Sequence, residues 1–275
     1  MRMTRAAFLK SAVLGVAMAG LVVSCGGGGD SGSSADAPAD TSAGGGDSVL
    51  TVGTEPGFPP FELVSDSGDI EGFDIDLMNA IAEKSGKTVE FQSLPFDGLI
   101  PALQSGSIDA AISGMTITDE RKQTVDFSDP YFKAGLAIAV QKGNTDVKTL
   151  DDLNGKRIAA QIGTTGADAA NSVEGATVTT FDSAPLALQE LANGNVDAVV
   201  NDAPATLDAI ATGNIPNIEV VGQLLTEEFY GIALPQGSDN TEAINTGLEE
   251  VKTDGTYAEI YQKWFKAEPP SDMVE

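Results

Sequence analysis

From residue 48 onward, short apolar runs alternate with stretches in which apolar residues recur at helical spacing. Residues 49–53, 88–93 and 108–113 read as buried strands. Between the first two, Phe73, Leu77, Ala80 and Ile81 fall on one helical face, with Asp74 and Asp76 in the first turn and Gly86 past the end. The alternation restarts near Arg157, with strands over 157–161, 177–180 and 196–200 and helices around 167–171 and 184–192. Short βα units in succession predict a parallel sheet covered by helices in each half. The C-terminal stretch breaks the pattern. Ile244, Leu248 and Val251, then Tyr257, Ile260, Tyr261, Trp264 and Phe265, predict two amphipathic helices that need an apolar surface to cover. If that surface belongs to the first half, the chain crosses between halves twice, near 131–137 and 226–231. Two crossings make a hinge.

Residues 103–114, LQSGSIDAAISG, recur 88 positions later as LANGNVDAVVND, residues 191–202. Leu103, Gly106, Asp109 and Ala110 return as Leu191, Gly194, Asp197 and Ala198. No third copy follows, which predicts two similar lobes rather than a solenoid. The divergent residues where both strands end, Ser113-Gly114 and Asn201-Asp202, are where a ligand is expected.

Composition then trims the chain. Residues 1–24 carry Arg2, Arg5 and Lys10 ahead of an apolar run too short to span a bilayer, and read as a secretory signal. Val22-Val23-Ser24-Cys25 resembles a lipobox, so Cys25 is expected to carry a lipid. Residues 25–47 then form a lipidated disordered tether of glycine, serine, aspartate and alanine, reaching roughly 25 Å. Removing residues 1–24 takes the net charge from −26 to −29. Such a surface repels nucleic acid. With no histidine and one cysteine, ordinary zinc sites and Ser-His-Asp or Cys-His nucleophiles are excluded. There is no complete P-loop, no GxSxG and no EF-hand loop, and neither a metal nor a cofactor is expected.

Three elements could bind a small charged ligand. In Gly114-Met115-Thr116-Ile117-Thr118-Asp119-Glu120-Arg121, Thr118 suits an N-cap and Asp119 and Glu120 suit a first helical turn. Free N–H groups there, with Arg121, could hold a carboxylate; an ordinary capped helix with a surface arginine fits equally well. Gly163-Thr164-Thr165-Gly166 lies between a strand and a helix, and is either a second anion-facing turn or a plain tight turn. Asp202, ahead of Pro204, is either an N-cap or an acceptor for an ammonium. Together they suit a zwitterion.

SGMTITDERKQTVDFSDPYF (113–132), with GFDIDL (72–77), FDGLIPALQ (96–104), GTTG, VVND and GTYAEIYQKWF (255–265), resembles the polar amino-acid solute-binding proteins of bacterial ABC importers. The resemblance covers residues 48–268. It implies an α/β, type II periplasmic binding protein fold of two α/β lobes joined by a two-strand hinge. Lobe 1 is then 48–133 and 230–275, and lobe 2 is 137–227. It also implies that Arg121, backbone groups of Gly114 and Thr165 and the Thr116 hydroxyl take an α-carboxylate, with Ser113 and Thr164 in the same two loops. Asp202 and the Gly114 carbonyl take the α-ammonium, Phe58 and Phe96 sandwich the side chain, and Glu55 and Gln161 read its end.

The last pair departs from the aspartate and lysine of glutamine-binding members. A buried, unpaired Glu55 is expensive, so a cationic side chain, arginine or lysine, is expected, with glutamine as the alternative. The implied partners are a free L-amino acid, an ABC permease and the membrane through the lipid on Cys25, with no nucleic acid, the chain acting as a monomer outside the cytoplasm. Rival readings are a sensor ligand-binding domain and a cyclohexadienyl dehydratase-like enzyme using Glu55 as general acid.

Overall fold

The computed structural model describes residues 48–274; the expected signal, the tether and Cys25 lie outside the described residues. The chain opens with β1 (Ser48–Thr54) and a small antiparallel meander, β2 (Gly57–Phe58), β3 (Glu62–Val64) and β4 (Ile70–Glu71). Then follow α1 (Phe73–Lys84), β5 (Lys87–Ser93), α2 (Phe96–Ser105), β6 (Ala110–Ala111) and β7 (Val125–Phe127). After β8 (Phe132–Ala134) the second lobe runs β9 (Leu136–Gln141), β10 (Arg157–Gln161), α3 (Thr165–Asn171), β11 (Thr177–Phe181), α4 (Ala184–Ala192), β12 (Ala198–Asp202), α5 (Ala203–Ala211) and β13 (Ile218–Val221). The chain returns through β14 (Glu228–Tyr230) and β15 (Ala233–Pro235) to α6 (Asn240–Thr253) and α7 (Thr256–Phe265).

Two five-stranded sheets result, ordered β5-β1-β6-β15-β7 and β11-β10-β12-β9-β13. The expectation of parallel sheets needs correction, because each sheet contains one antiparallel strand. The cause is connectivity: β9 and β15 each follow directly from a crossing strand and enter their sheet against its grain. The crossings themselves are β8 and β14, an antiparallel pair with Glu228 opposite Ala134 and Tyr230 opposite Phe132. This is the two-strand hinge, and the architecture is the type II periplasmic binding fold.

The sequence repeat has one structural job in both lobes. Asp109 Oδ2 accepts from Thr51 N at 2.8 Å, and Asp197 Oδ2 accepts from Arg157 N at 2.8 Å, so each aspartate clamps the neighbouring parallel strand. Val52 then pairs with Ala110, and Ile158 with Ala198, putting the ends of both third strands at the cleft.

The C-terminal helices cover the first lobe. Ile244, Leu248 and Val251 of α6 share a buried cluster with Leu77, Met78 and Ile81 of α1. Contact is close enough that a Cβ on Gly247 would fall 2.6 Å from the Ile81 carbonyl oxygen, which requires glycine there. Tyr261 and Phe265 of α7 reach the hinge itself, with ring centroids 5.8 and 5.1 Å from Phe132, which stacks 5.7 Å from Tyr230. Packing of these rings ties the hinge strands to the aromatic cluster of the first lobe.

Candidate functional site

The eleven residues picked out in the sequence line one cavity between the lobes. Glu55 follows β1, Phe58 lies in β2, Phe96 opens α2, and Ser113, Gly114 and Thr116 follow β6. Gln161 ends β10, Thr164 caps α3 by accepting from Ala167 N at 3.2 Å, and Thr165 begins that helix. Asp202 ends β12. Gly114 has φ of +55°, and a Cβ there would sit 2.9 Å from the Phe58 ring, so backbone conformation and ring packing both demand glycine.

The lobes are closed on one another. Arg121 Nη2 donates to Gly163 O at 2.9 Å, and Gln161 Nε2 donates to Glu55 Oε2 at 2.9 Å, at two places along the cleft. Arg121 Nη1 also donates to Thr116 O at 2.6 Å, and its guanidinium lies 5.4 Å from the Phe96 centroid. Burial pushes the Arg121 pKa down while Asp202 and Glu228 oppose that shift, and the guanidinium stays charged.

Two readings of local structure change. Residues 119 onward do not start an α-helix. Thr118 Oγ1 does accept from Arg121 N at 3.1 Å, but the turn is a 3₁₀ segment of three residues, Arg121–Gln123, because Val125 must already join the sheet. The positive charge at this turn is the Arg121 side chain, and no α-helix begins there. The Gly114 N–H is also taken, by Asp74 Oδ2 at 2.9 Å and Tyr131 Oη at 3.2 Å. Asp202 sits at the N-cap of α5 without bonding its backbone; its Oδ1 accepts from Tyr230 Oη at 2.7 Å.

Sequence reasoning missed Glu228. Its Oε2 accepts from Thr116 Oγ1 at 2.7 Å in one lobe and Thr165 Oγ1 at 3.0 Å in the other, so a hinge residue ties both walls of the cleft together. Tyr230 was missed as well. The signal was available: residues 228 and 230 lie two apart in a strand, so both face the same side.

Burial pushes the Glu55 carboxyl up to about 7 against the lowering effect of the Gln161 bond. Burial likewise pushes Asp202 up to about 7, with Tyr230 lowering it and the Glu228 charge raising it. Arg121 is the one cation among the lining residues, within reach of the charges of Asp202 and Glu228. Among the described residues, no group of three or more Cys, Asp or Glu is arranged to hold a metal ion.

A closed two-lobed fold around a polar, charge-rich cavity is the build of a solute receptor. The chain belongs to the bacterial extracellular solute-binding proteins, family 3, whose pattern matches residues 50–267. A probable histidine-binding protein of Neisseria gonorrhoeae is 38% identical over 226 residues, covering 80% of this chain and 84% of that protein. An ancestral arginine-binding protein bound to arginine superimposes with TM-score 0.76 at 51% identity, covering 79% of this chain and 98% of that one. An ancestral arginine-binding protein bound to glutamine does so with the same score and identity, covering 80% and 98%.

Proposed function

We propose that the chain captures a basic L-amino acid, arginine or lysine, and delivers it unchanged to an ABC permease. The observation that carries this reading is the charge of the cavity lining: two acidic groups, Glu55 and Asp202, stand against the single cation Arg121, with Glu228 behind Thr116 and Thr165. A zwitterion matches Arg121 with its carboxylate and Asp202 with its ammonium. That leaves Glu55 buried and uncompensated, and a guanidinium or ammonium at the far end of the ligand supplies the missing charge. Phe58 and Phe96 form the apolar walls for the stem, with a cation–π gain for a charged head. Gly114 O, Ser113, Thr116, Thr164, Thr165 and Gln161 complete the lining.

Closure follows from the same contacts. The lobes, 48–133 with 230–275 and 137–227, move about β8 and β14, and the ligand favours the closed form because Arg121 and Asp202 meet it only when both lobes do. Similarity to an arginine-bound receptor supports the basic ligand. A second reading is glutamine: Glu55 already accepts from the side-chain amide of Gln161, so an amide ligand could satisfy it, and an equally similar arginine-binding protein holds glutamine. Binding and release, with no bond made or broken, is the whole proposed cycle. Attachment to the membrane through a lipid on Cys25 completes it, and radioactive palmitate should label the chain but not Cys25→Ser.

Thermal unfolding tests the ligand. At a hundredfold excess over Kd, a bound amino acid adds about 2.7 kcal/mol, which raises Tm by about 5–10 °C for a domain of this size. L-arginine and L-lysine should give this shift and D-arginine none. A shift with acidic amino acids alone would overturn the assignment.

A further inference from the structure

Behind the Ser113-Gly114 wall, Glu62 of β3 and Asp74 of α1 bury their carboxyl groups against one another, both with 0% exposure. Glu62 Oε1 accepts from Ser113 Oγ at 2.9 Å. Asp74 Oδ2 accepts from Gly114 N at 2.9 Å and from Tyr131 Oη at 2.7 Å. One oxygen remains on each, Glu62 Oε2 and Asp74 Oδ1, buried and without any donor, while the two side chains lie within hydrogen-bond reach of each other. The ionisable groups facing the pair are Tyr131, Tyr230, Tyr257 and Glu55, with no cation among them.

Two adjacent carboxylates cannot both stay ionised in such a place, and a single hydrogen held between the two side chains relieves their charge and supplies the missing donor. We infer that Glu62 and Asp74 share one proton, carried on Glu62 Oε2 and donated to Asp74 Oδ1, and that this acid–carboxylate clasp positions the ligand wall. The proton belongs on Glu62 because Asp74 has two donors to stabilise its charge and Glu62 only one. In keeping with this, burial and the Asp74 charge push the Glu62 carboxyl well above the usual range, while Asp74 is held at about 6 by its donors against its own burial.

The clasp reaches three functional places. Through Ser113, whose Oγ accepts from Glu55 N at 3.0 Å, it fixes the residue proposed to read the ligand side chain. Through Asp74 it fixes Gly114. Through Tyr131, whose N donates to Tyr230 O at 2.9 Å, it touches the hinge. Glu62 and Asp74 are positioning residues: neither lines the cavity. The positioning half of the inference rests on the proposed ligand site; the proton does not.

Glu62→Gln is the test, since its amide can donate to Asp74 and accept from Ser113 while keeping the charge of the singly protonated pair. The infrared difference spectrum, wild type minus Glu62→Gln at neutral pH, should contain the carbonyl band of a protonated carboxylic acid that shifts in heavy water. The pH profile of stability carries the same signature. A carboxyl with a raised folded pKa adds stability that is full below its unfolded value of about 4.3 and fades as pH rises towards the folded value. The stability of the wild type relative to Glu62→Gln should therefore decline across that window. A difference spectrum with carboxylate bands alone, or parallel pH profiles, overturns the shared proton.

For positioning, Glu62→Gln should bind the amino acid within about threefold of wild type and Glu62→Ala about tenfold more weakly, the scale of one lost bond to a buried group. Wild-type affinity in Glu62→Ala overturns the positioning role. Should Glu62→Ala not fold, Tyr131→Phe removes one Asp74 donor and no cavity-lining group; it should weaken binding about threefold or more, and unchanged affinity overturns the role equally. Loss of every thermal shift with amino acids would remove the proposed function and leave the infrared band in place.

Discussion

Glu55→Gln isolates the charge on which the basic assignment depends. Glu55 is only 9% exposed, and the substitution keeps its shape and its place opposite Gln161 Nε2, so packing changes little. Removing one member of a buried ion pair costs about 3–5 kcal/mol. Part of that is absent here, because a carboxyl with a pKa of about 7 is half neutral in the empty cavity at that pH. Measured about one pH unit higher, where it is ionised, the expected loss for arginine is about 2–4 kcal/mol, or 30- to 1,000-fold in Kd. Glutamine affinity should stay within about threefold, since an amide can meet either an acid or another amide. Isothermal titration of both proteins with both ligands gives the comparison. An arginine loss below about threefold, or equal losses for the two ligands, refutes the role of Glu55.

Other perturbations test other contacts. Arg121→Ala should abolish binding of every amino acid, and Arg121→Lys should weaken it about 10- to 100-fold by losing the planar fork; titration against arginine checks both. Arginine affinity should rise with pH up to about 7 and then level off. Glu55 and Asp202 are protonated below that value in the empty cavity, and a cationic ligand must expel those protons, by up to tenfold per unit for each group. Titration in buffers of different ionisation enthalpy should register proton release, and a flat profile contradicts it. Glu228→Gln loosens the contact that ties Thr116 to Thr165 across the cleft. Its effect should be about tenfold and fall on the dissociation rate, measured by stopped flow.

The parts of the fold that were legible in the sequence are the locally determined ones. α4 occupies residues 184–192 as its apolar spacing predicted, and the repeated aspartates carry the same strand clamp in both lobes. The repeat marked out only Ser113-Gly114 and Asp202, at the ends of matching strands; Glu55, Phe58, Phe96 and Gln161 were legible only through the resemblance to a known family. What was missed depends on partners distant in sequence. A short apolar run such as 136–141 reads the same whether its neighbours run parallel or antiparallel, and only the path through the hinge decides. The expected helix after Thr118 yielded to the sheet, which claims residues 125–127. Asp74 looked like an ordinary first-turn acid, and only the arrival of Gly114 and Tyr131 from other segments makes it a buried acceptor. Glu62 gave no local signal at all.

The central claim is that the excess negative charge of the cavity selects a cationic amino acid. Isothermal titration of the chain with L-arginine, L-lysine and L-glutamine, about one pH unit above the Glu55 and Asp202 values of about 7, tests it most directly. One equivalent of arginine or lysine should bind at least about tenfold more tightly than glutamine, the least that one buried charge contact contributes. Glutamine binding more tightly than both would contradict the account.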